Sequence, residues 1–195
     1  MKEIVVASTN AGKIREIKAM LEDIGIEIKS IQEEVGHEVD IVENGTTFEE
    51  NAIIKAETIM HMINKPVLAD DSGLEVDAMD KAPGIYSARF MGYDTSYDIK
   101  NQAIIDAVEG KDRTARFVCA MALAIPDAET IVIKETFEGE INDKIEGTNG
   151  FGYDPIFYFP PLGKTSAVMT MEEKNQHSHR AKALKRLYTI LKELN

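Results

Sequence analysis

The chain has one cysteine, Cys119, so an intramolecular disulfide is impossible and a disulfide-stapled secreted domain is excluded. Cys119 lies in an apolar stretch, where a buried thiol is expected. Long hydrophobic runs are also missing. The first apolar segment, Ile4-Val5-Val6-Ala7, turns polar at once and is too short for a signal-peptide core or a membrane span. A reducing cytoplasm is the expected location. Basic residues are scarce: 22 Lys and Arg face 34 Asp and Glu, for a formal charge of −12. That balance argues against coating duplex nucleic acid or an anionic membrane, since both partners need clustered cations to release counterions. Any phosphate ligand must be gripped locally. Internal repeats, low-complexity segments and linkers are absent as well. What remains is 195 residues, 44% hydrophobic and 29% charged, an ordinary globular composition expected to form one domain over residues 1–195.

Glu3 to Ala7 reads as a short buried strand, followed by a polar loop and a helix with Ile14, Ile17, Leu21 and Ile24 on one side. Ile26 to Ile31 reads as a second strand. Thr47-Phe48-Glu49-Glu50 is a capping-box pattern opening a helix that buries Ala52, Ala56, Ile59, Met60 and Ile63 and ends near Asn64, before Pro66. Val67-Leu68-Ala69 is a third apolar run, expected to stop at Asp70-Asp71-Ser72-Gly73, with loops and short strands on to about Asp94. Ser96 to Val108 suits a helix. Strict alternation through Ala115, Phe117, Cys119, Met121, Leu123 and Ile125, with an apolar opposite face, predicts a central strand that turns at Pro126-Asp127-Ala128 into a partner over Thr130 to Glu138. Residues 139–170 show little periodicity, and a terminal helix over Ser178 to Leu194 buries Ala181, Leu184, Leu187, Tyr188 and Leu191. Alternating strands and helices followed by an antiparallel pair indicate an α/β or mixed α+β domain around one mixed sheet.

Five constellations could carry chemistry. Ser8-Thr9-Asn10-Ala11-Gly12-Lys13 joins a strand to a helix start, where backbone amides, the helix dipole and Lys13 make an anion site; the same residues also suit a plain capped helix. Asp70-Asp71-Ser72-Gly73 presents adjacent carboxylates, which on an extended strand point to opposite sides, so one faces a pocket while the other orients backbone. Hard oxygen ligands of this kind suit Mg²⁺, although an Asp-rich turn would use the same residues. Glu43, before a turn, is a candidate second metal carboxylate or a solvated acid, whereas Glu50 has the position of a cap. Gly147-Thr148-Asn149-Gly150-Phe151-Gly152-Tyr153-Asp154-Pro155 is a glycine-rich loop expected to expose its two aromatics and its acid, on which a planar ring could stack at Phe151, or under which Phe151 could pack. Lys174, His179 and Arg180 lead into the terminal helix as phosphate or carbonyl partners. His177 and His179 lack a further His or Cys at zinc-ligand spacing.

Six motifs, in order, are Ser8-Thr9-Asn10-x-x-Lys13-x-x-Glu16, Thr47-Phe48-x-Glu50-Asn51-Ala52, Ala69-Asp70-Asp71-Ser72-Gly73-Leu74, Pro83-Gly84-Ile85-Tyr86-Ser87-Ala88-Arg89, Gly150-Phe151-Gly152-Tyr153-Asp154-Pro155 and Ser178-His179-Arg180. Together they resemble the inosine triphosphate pyrophosphatase family, the Ham1-like non-standard purine NTP pyrophosphatases, over nearly the whole chain. The resemblance implies a homodimer, an elongated mixed sheet flanked by helices, and two lobes with a nucleotide cleft between them. It implies Mg²⁺-dependent hydrolysis of ITP, dITP, XTP and dXTP to the monophosphate and pyrophosphate, keeping these nucleotides out of DNA and RNA. Carried over by motif, Ser8, Thr9, Asn10, Ala11, Gly12, Lys13 and Lys174 would hold the phosphates. Asp71 would be proton acceptor and metal ligand, Glu43 the other metal ligand, and Ser72 a substrate contact. Phe151, Gly152, Tyr153 and Asp154, with His179 and Arg180, would enclose the base. Donors from His179 and Arg180 aimed at a 6-oxo group would leave adenine's 6-amino group unpaired, at a loss of about 1–3 kcal/mol. Competing expectations are a Maf-like pyrophosphatase of other base specificity and a non-catalytic nucleotide-binding module.

Overall fold

A computed structural model describes residues 1–21, 24–37 and 39–194. Its seven strands form one mixed sheet in the order β2-β1-β3-β4-β5-β6-β7. The first strand, β1 (Glu3–Val6), is fully apolar on its buried side and runs parallel to both β2 (Glu27–Ser30) and β3 (Val67–Val76), with Val5 opposite Lys29 and Val67. Parallel neighbours need crossovers, supplied here by α1 (Ala11–Leu21) and by α3 (Phe48–Ile63). Between them lies a single-turn helix, α2 (Ile31–Val35), closed by a reciprocal capping box of Ser30 and Glu33.

The α3 boundaries follow from local chemistry. Thr47 is the N-cap and its hydroxyl accepts from the Glu50 amide, as the Thr-x-x-Glu spacing predicts. Glu50 reaches back to the amide and hydroxyl of Thr46 and also toward the amide of the cap residue Thr47. At the other end Asn64 adopts the left-handed conformation just ahead of Pro66 and stops the helix.

One expectation fails instructively. Asp70-Asp71-Ser72-Gly73 does not end β3; the strand runs ten residues through both aspartates and the glycine to Val76. Gly73 has an ordinary negative φ and makes no turn. The carboxylates fit a strand interior because each faces cations, as the site geometry below shows. After β3 come two short 3₁₀ turns, then α4 (Tyr97–Ala107), whose N-cap Ser96 accepts from the Ile99 amide. The alternating segment forms β4 (Thr114–Ala124), adjacent to β5 (Ile131–Ile141) as expected, though β5 extends three residues beyond Glu138. The aperiodic region 139–170 contains two short antiparallel strands, β6 (Phe157–Phe159) and β7 (Lys164–Thr165). A further helix, α5 (Met171–His177), starts from a Thr170/Glu173 capping box that went unread in the sequence. The terminal helix α6 spans His179–Leu194.

The chain clusters into two compact units. The first comprises Met1–Asp71, Cys119–Glu135 and the segment from Arg180 onward; the second comprises Ser72–Val118 and Thr136–His179. The core of the first packs Ile17 and Leu21 of α1 and Leu184, Leu187 and Leu191 of α6 around Ile4, Leu68, Met121 and the buried Cys119. That of the second packs Ile104 and Val108 with Leu74, Phe117, Phe137, Phe157 and Met169. No helix among the described residues is long and apolar enough to cross a membrane.

Candidate functional site

In the first unit, β1 ends at Val6 and α1 begins at Ala11, leaving a tight connecting loop. Its geometry is set by short polar side chains. Ser8 Oγ accepts from the Asn10 amide at 3.1 Å, and Asn10 Oδ1 accepts from the Lys13 amide at 3.1 Å, so Asn10 caps α1. The amides of Ala11 and Gly12 then stand at the positive end of the helix dipole, an arrangement suited to an anion. The capped helix start read from the sequence is thus observed, and its leading amides leave room for the other reading, an anion site.

Lys13 turns back from that loop onto Asp70, with Nζ 3.0 Å from Oδ2. Arg180 reaches the same oxygen, Nε to Oδ2 at 3.6 Å, while its Nη1 donates to Glu16 at 2.8 Å. Arg180 is buried, and so is Asp70. Burial alone would raise the Asp70 carboxyl, but Lys13, Arg180 and Lys55 outweigh it and hold it well below the ordinary carboxylate range. Asp70 therefore remains ionised and anchors the two cations.

Asp71 lies on the opposite side of the strand, as the pleat requires. Its neighbours are Lys55 and Glu43: Lys55 Nζ is 3.9 Å from Asp71 Oδ1 and 3.0 Å from Glu43 Oε1, and it donates to the Asp70 carbonyl at 2.8 Å. Asn51, one turn before Lys55 on α3, hydrogen-bonds the Asp71 side chain and accepts from the Gly45 amide at 2.8 Å through Oδ1. Gly45 approaches so closely that a Cβ there would sit 2.7 Å from Asn51 Oδ1. That contact fixes the segment carrying Glu43. Burial and the negative charge of Glu43 push the Asp71 carboxyl up to about 6, against the opposing pull of Lys55. Lys55 itself is raised: burial lowers it, but Asp70, Asp71 and Glu43 more than compensate.

The donor set suits a hard divalent cation. Among the described residues Asp71 Oδ2 is buried without a hydrogen-bond partner, and Glu43 is one-third exposed with Oε1 3.0 Å from Lys55 Nζ. Two carboxylates so placed suit Mg²⁺, an ion usually held by one or two carboxylates plus phosphates and waters. Asn51 and Lys55 were not picked out as functional from the sequence. Their i, i+4 spacing on a helix that follows a candidate carboxylate is the signal that could have found them.

In the second unit the loop expected to contact a base is braced from inside. Gly150 has φ +74°, and a Cβ there would collide with Asp154 Oδ2. Asp154 is buried and fully engaged: Oδ2 accepts from the Phe151 amide at 2.9 Å and from Lys174 Nζ at 2.8 Å, and Oδ1 from Ser166 Oγ at 2.7 Å. Lys174 also lies 5.6 Å from the centre of the Phe151 ring, which is 46% exposed. Tyr153 is buried, its hydroxyl donating to the Ser87 carbonyl at 2.6 Å, and burial next to Tyr97 raises that hydroxyl above its ordinary range. His179 stacks on Phe117 with ring centres 5.0 Å apart. Ser72 is half-buried. The candidate residues thus fall into two sets. Ser8 to Lys13, Glu43, Asp71 and Arg180 belong to the first unit; Ser72, Phe151 to Asp154, Lys174 and His179 belong to the second.

Comparison with known proteins places the whole chain. The Ham1 family profile matches residues 4–190. A dITP/XTP pyrophosphatase of Geobacillus kaustophilus is 49% identical over 191 residues, covering 96% of this chain and 93% of its own. One from Staphylococcus aureus strain N315 is 47% identical, covering 98% and 97%. Among solved structures, the Staphylococcus aureus Ham1 protein superposes with a TM-score of 0.92 at 46% identity over the full length of both chains. A HAM1 protein from Coxiella burnetii gives 0.92 at 42% identity, covering 99% of this chain and all of its own. With the likeness running from the first strand to the last helix in sequence and fold alike, the chain belongs to the Ham1 family.

Proposed function

We propose that the protein hydrolyses non-canonical purine nucleoside triphosphates, dITP, ITP and XTP among them, to the monophosphate and pyrophosphate. The observation that carries the reading is the Asp71 environment: a buried carboxylate with one open oxygen, flanked by Glu43, Lys55 and Asn51. The names of the relatives, dITP/XTP pyrophosphatases at 47–50% identity, support the substrate class.

The chemistry is attack of water on the α-phosphorus, where positioning and charge neutralisation dominate. The amides at Ala11 and Gly12 and the Lys13 ammonium suit the phosphates. Asp71, a buried carboxylate beside Lys55 and Asn51, is placed to orient the attacking water and accept its proton. Asp71 and Glu43 would hold Mg²⁺, which when bound neutralises phosphate charge. Base discrimination falls to Phe151, offering an exposed ring face, and to donors of the segment around His179. We also place the protein in the cytoplasm, in keeping with its single buried thiol, and as a homodimer, testable by analytical ultracentrifugation.

Purified protein with Mg²⁺ is expected to release pyrophosphate from ITP, dITP and XTP faster than from ATP, by roughly 5- to 150-fold for one buried group left unpaired at about 1–3 kcal/mol. Release of orthophosphate in place of pyrophosphate would refute the cleavage position. Equal rates on all nucleotides would refute the specificity and favour a Maf-like activity, and binding without turnover would favour a nucleotide-binding module.

A further inference from the structure

The geometry points to Asn101, on α4, as the positioning residue of the base-recognition loop: it never touches the nucleotide but sets the pose in which Phe151 is presented. This rests on the reading of Gly150 to Asp154 as the loop that meets the base. Asn101 is 1% exposed, and its Nδ2 donates to the Gly152 carbonyl at 3.1 Å across 51 residues of sequence. Gly152 sits at φ +64°, and the atoms nearest its missing Cβ are those of Tyr97, the closest a ring carbon 3.5 Å away. Tyr97 and Asn101 are one helical turn apart, so a single face of α4 receives the loop.

The contact closes a ring of interactions. Tyr97 packs edge-on against Tyr153, with centres 5.2 Å apart. The Tyr153 hydroxyl donates to the carbonyl of Ser87. The next carbonyl, that of Ala88, accepts from Lys100 Nζ at 3.0 Å, and Lys100 is itself buried on α4 with Nζ 4.8 Å from the centre of the Tyr97 ring. From α4 through Ser87-Ala88 to Tyr153, Gly152 and back to α4, every link is a short polar contact or a ring contact. Phe151 is the one side chain of residues 151–154 left largely exposed, because Tyr153 and Asp154 face inward and are engaged there.

Stability does not explain the amide. Asn101 Oδ1 is buried without a partner, so half of the side chain's polarity is unsatisfied, and an apolar side chain of similar volume would suit the α4 interior better. Gly152 is only half-buried, so its carbonyl finds water once Asn101 lets go. What Asn101 contributes is the place of the loop.

The chain contains no tryptophan, so Phe151→Trp installs a single reporter on the loop. In that background Asn101→Leu is expected to lower the tryptophan anisotropy and raise its quenching by acrylamide while leaving Tm unchanged or higher. In the wild-type background Asn101→Leu is expected to raise KM for ITP about tenfold, the loss of about one hydrogen bond, with kcat within about twofold. Inhibition by tripolyphosphate, which lacks a base, should not change. Should Asn101→Leu fail to fold, Asn101→Ala removes the same donor without crowding the site and must show the same loss of anisotropy and the same rise in KM for ITP, with tripolyphosphate inhibition unchanged. Unchanged anisotropy and KM would overturn the proposal. So would a lowered Tm with ITP and tripolyphosphate affinities falling together. If the wild-type protein releases no pyrophosphate from ITP, the functional reading fails, and the tryptophan measurements still decide the role of Asn101.

Discussion

Asp71 should make the metal-free protein less stable than it could be, and replacing it by asparagine should reveal by how much. Its carboxyl rises from an ordinary 3.8 to about 6 on folding, mainly because burial disfavours the charge. A difference of roughly 2 units corresponds to about 3 kcal/mol, at about 1.36 kcal/mol per unit. The sign follows from proton binding. Below pH 4 the group is protonated in both folded and unfolded chains and nothing is lost. Between pH 4 and 6 only the unfolded chain ionises it freely, so folding is progressively disfavoured. Above pH 6 the full penalty applies. Asp71→Asn removes the charge and keeps the shape, so in EDTA it should stabilise the protein by about 3 kcal/mol at pH 8, about half that at pH 5, and little at pH 4.

Urea denaturation of both proteins across that pH range measures the effect, as an increase in midpoint at constant slope. For a chain of this size about 3 kcal/mol also moves Tm by roughly 6–12 °C. Added Mg²⁺ should reverse the ranking, since an ion that binds the folded wild type stabilises it by mass action and the variant has lost a ligand. The same substitution should nearly abolish pyrophosphate release, the exchange of activity for stability expected of a catalytic carboxylate. A stability difference that is independent of pH, or that shrinks as pH rises from 4 to 8, would refute a burial cost at Asp71 that Lys55 only partly offsets.

Three further substitutions probe the network. Arg180→Ala strips Asp70 and Glu16 of a buried cation and should destabilise the protein by about 3 kcal/mol in chemical denaturation; because Arg180 is committed to Asp70 beside Lys13, affinities for ITP and for tripolyphosphate should fall together. Lys55→Met takes away the cation that opposes the Asp71 shift, so the acid limb of the pH–rate profile should move to higher pH, with partial recovery of activity in alkaline buffer. Gly150→Ala forces a left-handed backbone and a methyl onto the Asp154 carboxylate; a loss of about 1–3 kcal/mol in stability and a raised KM for ITP are expected, measured by thermal melting and steady-state kinetics.

What could be read in advance divides along a physical line. Helix ends announced themselves through residues that act within three positions of one another: Thr47 with Glu50, Ser96 with Ile99, and Asn64 ahead of Pro66. The central strand β4 was legible because both of its faces are apolar, so alternation and burial agree. The run Asp70-Asp71-Ser72-Gly73 misled because two carboxylates and a glycine are locally the grammar of a turn. What keeps β3 extended there is the arrival of Lys13, Arg180 and Lys55 from three remote segments, and no local rule contains that information.

The same division governs the site. The candidate chemical groups stood out as loop motifs and as paired carboxylates, whereas the residues that hold them in place did not. Lys55, Asn51 and Asn101 lie in helices whose patterns read as ordinary amphipathic packing, and each acts on a partner at least 15 residues away or through a backbone carbonyl. A side chain that binds a carbonyl leaves no complementary residue to search for, because every residue has one. A buried polar residue in a largely apolar helix face is the trace that survives in the sequence: Asn51 among Phe48, Ala52 and Ile59, and Asn101 next to Ile104 and Ile105. Burying such a group without a task is unfavourable, so its presence there points to the loop or carboxylate that it holds in place.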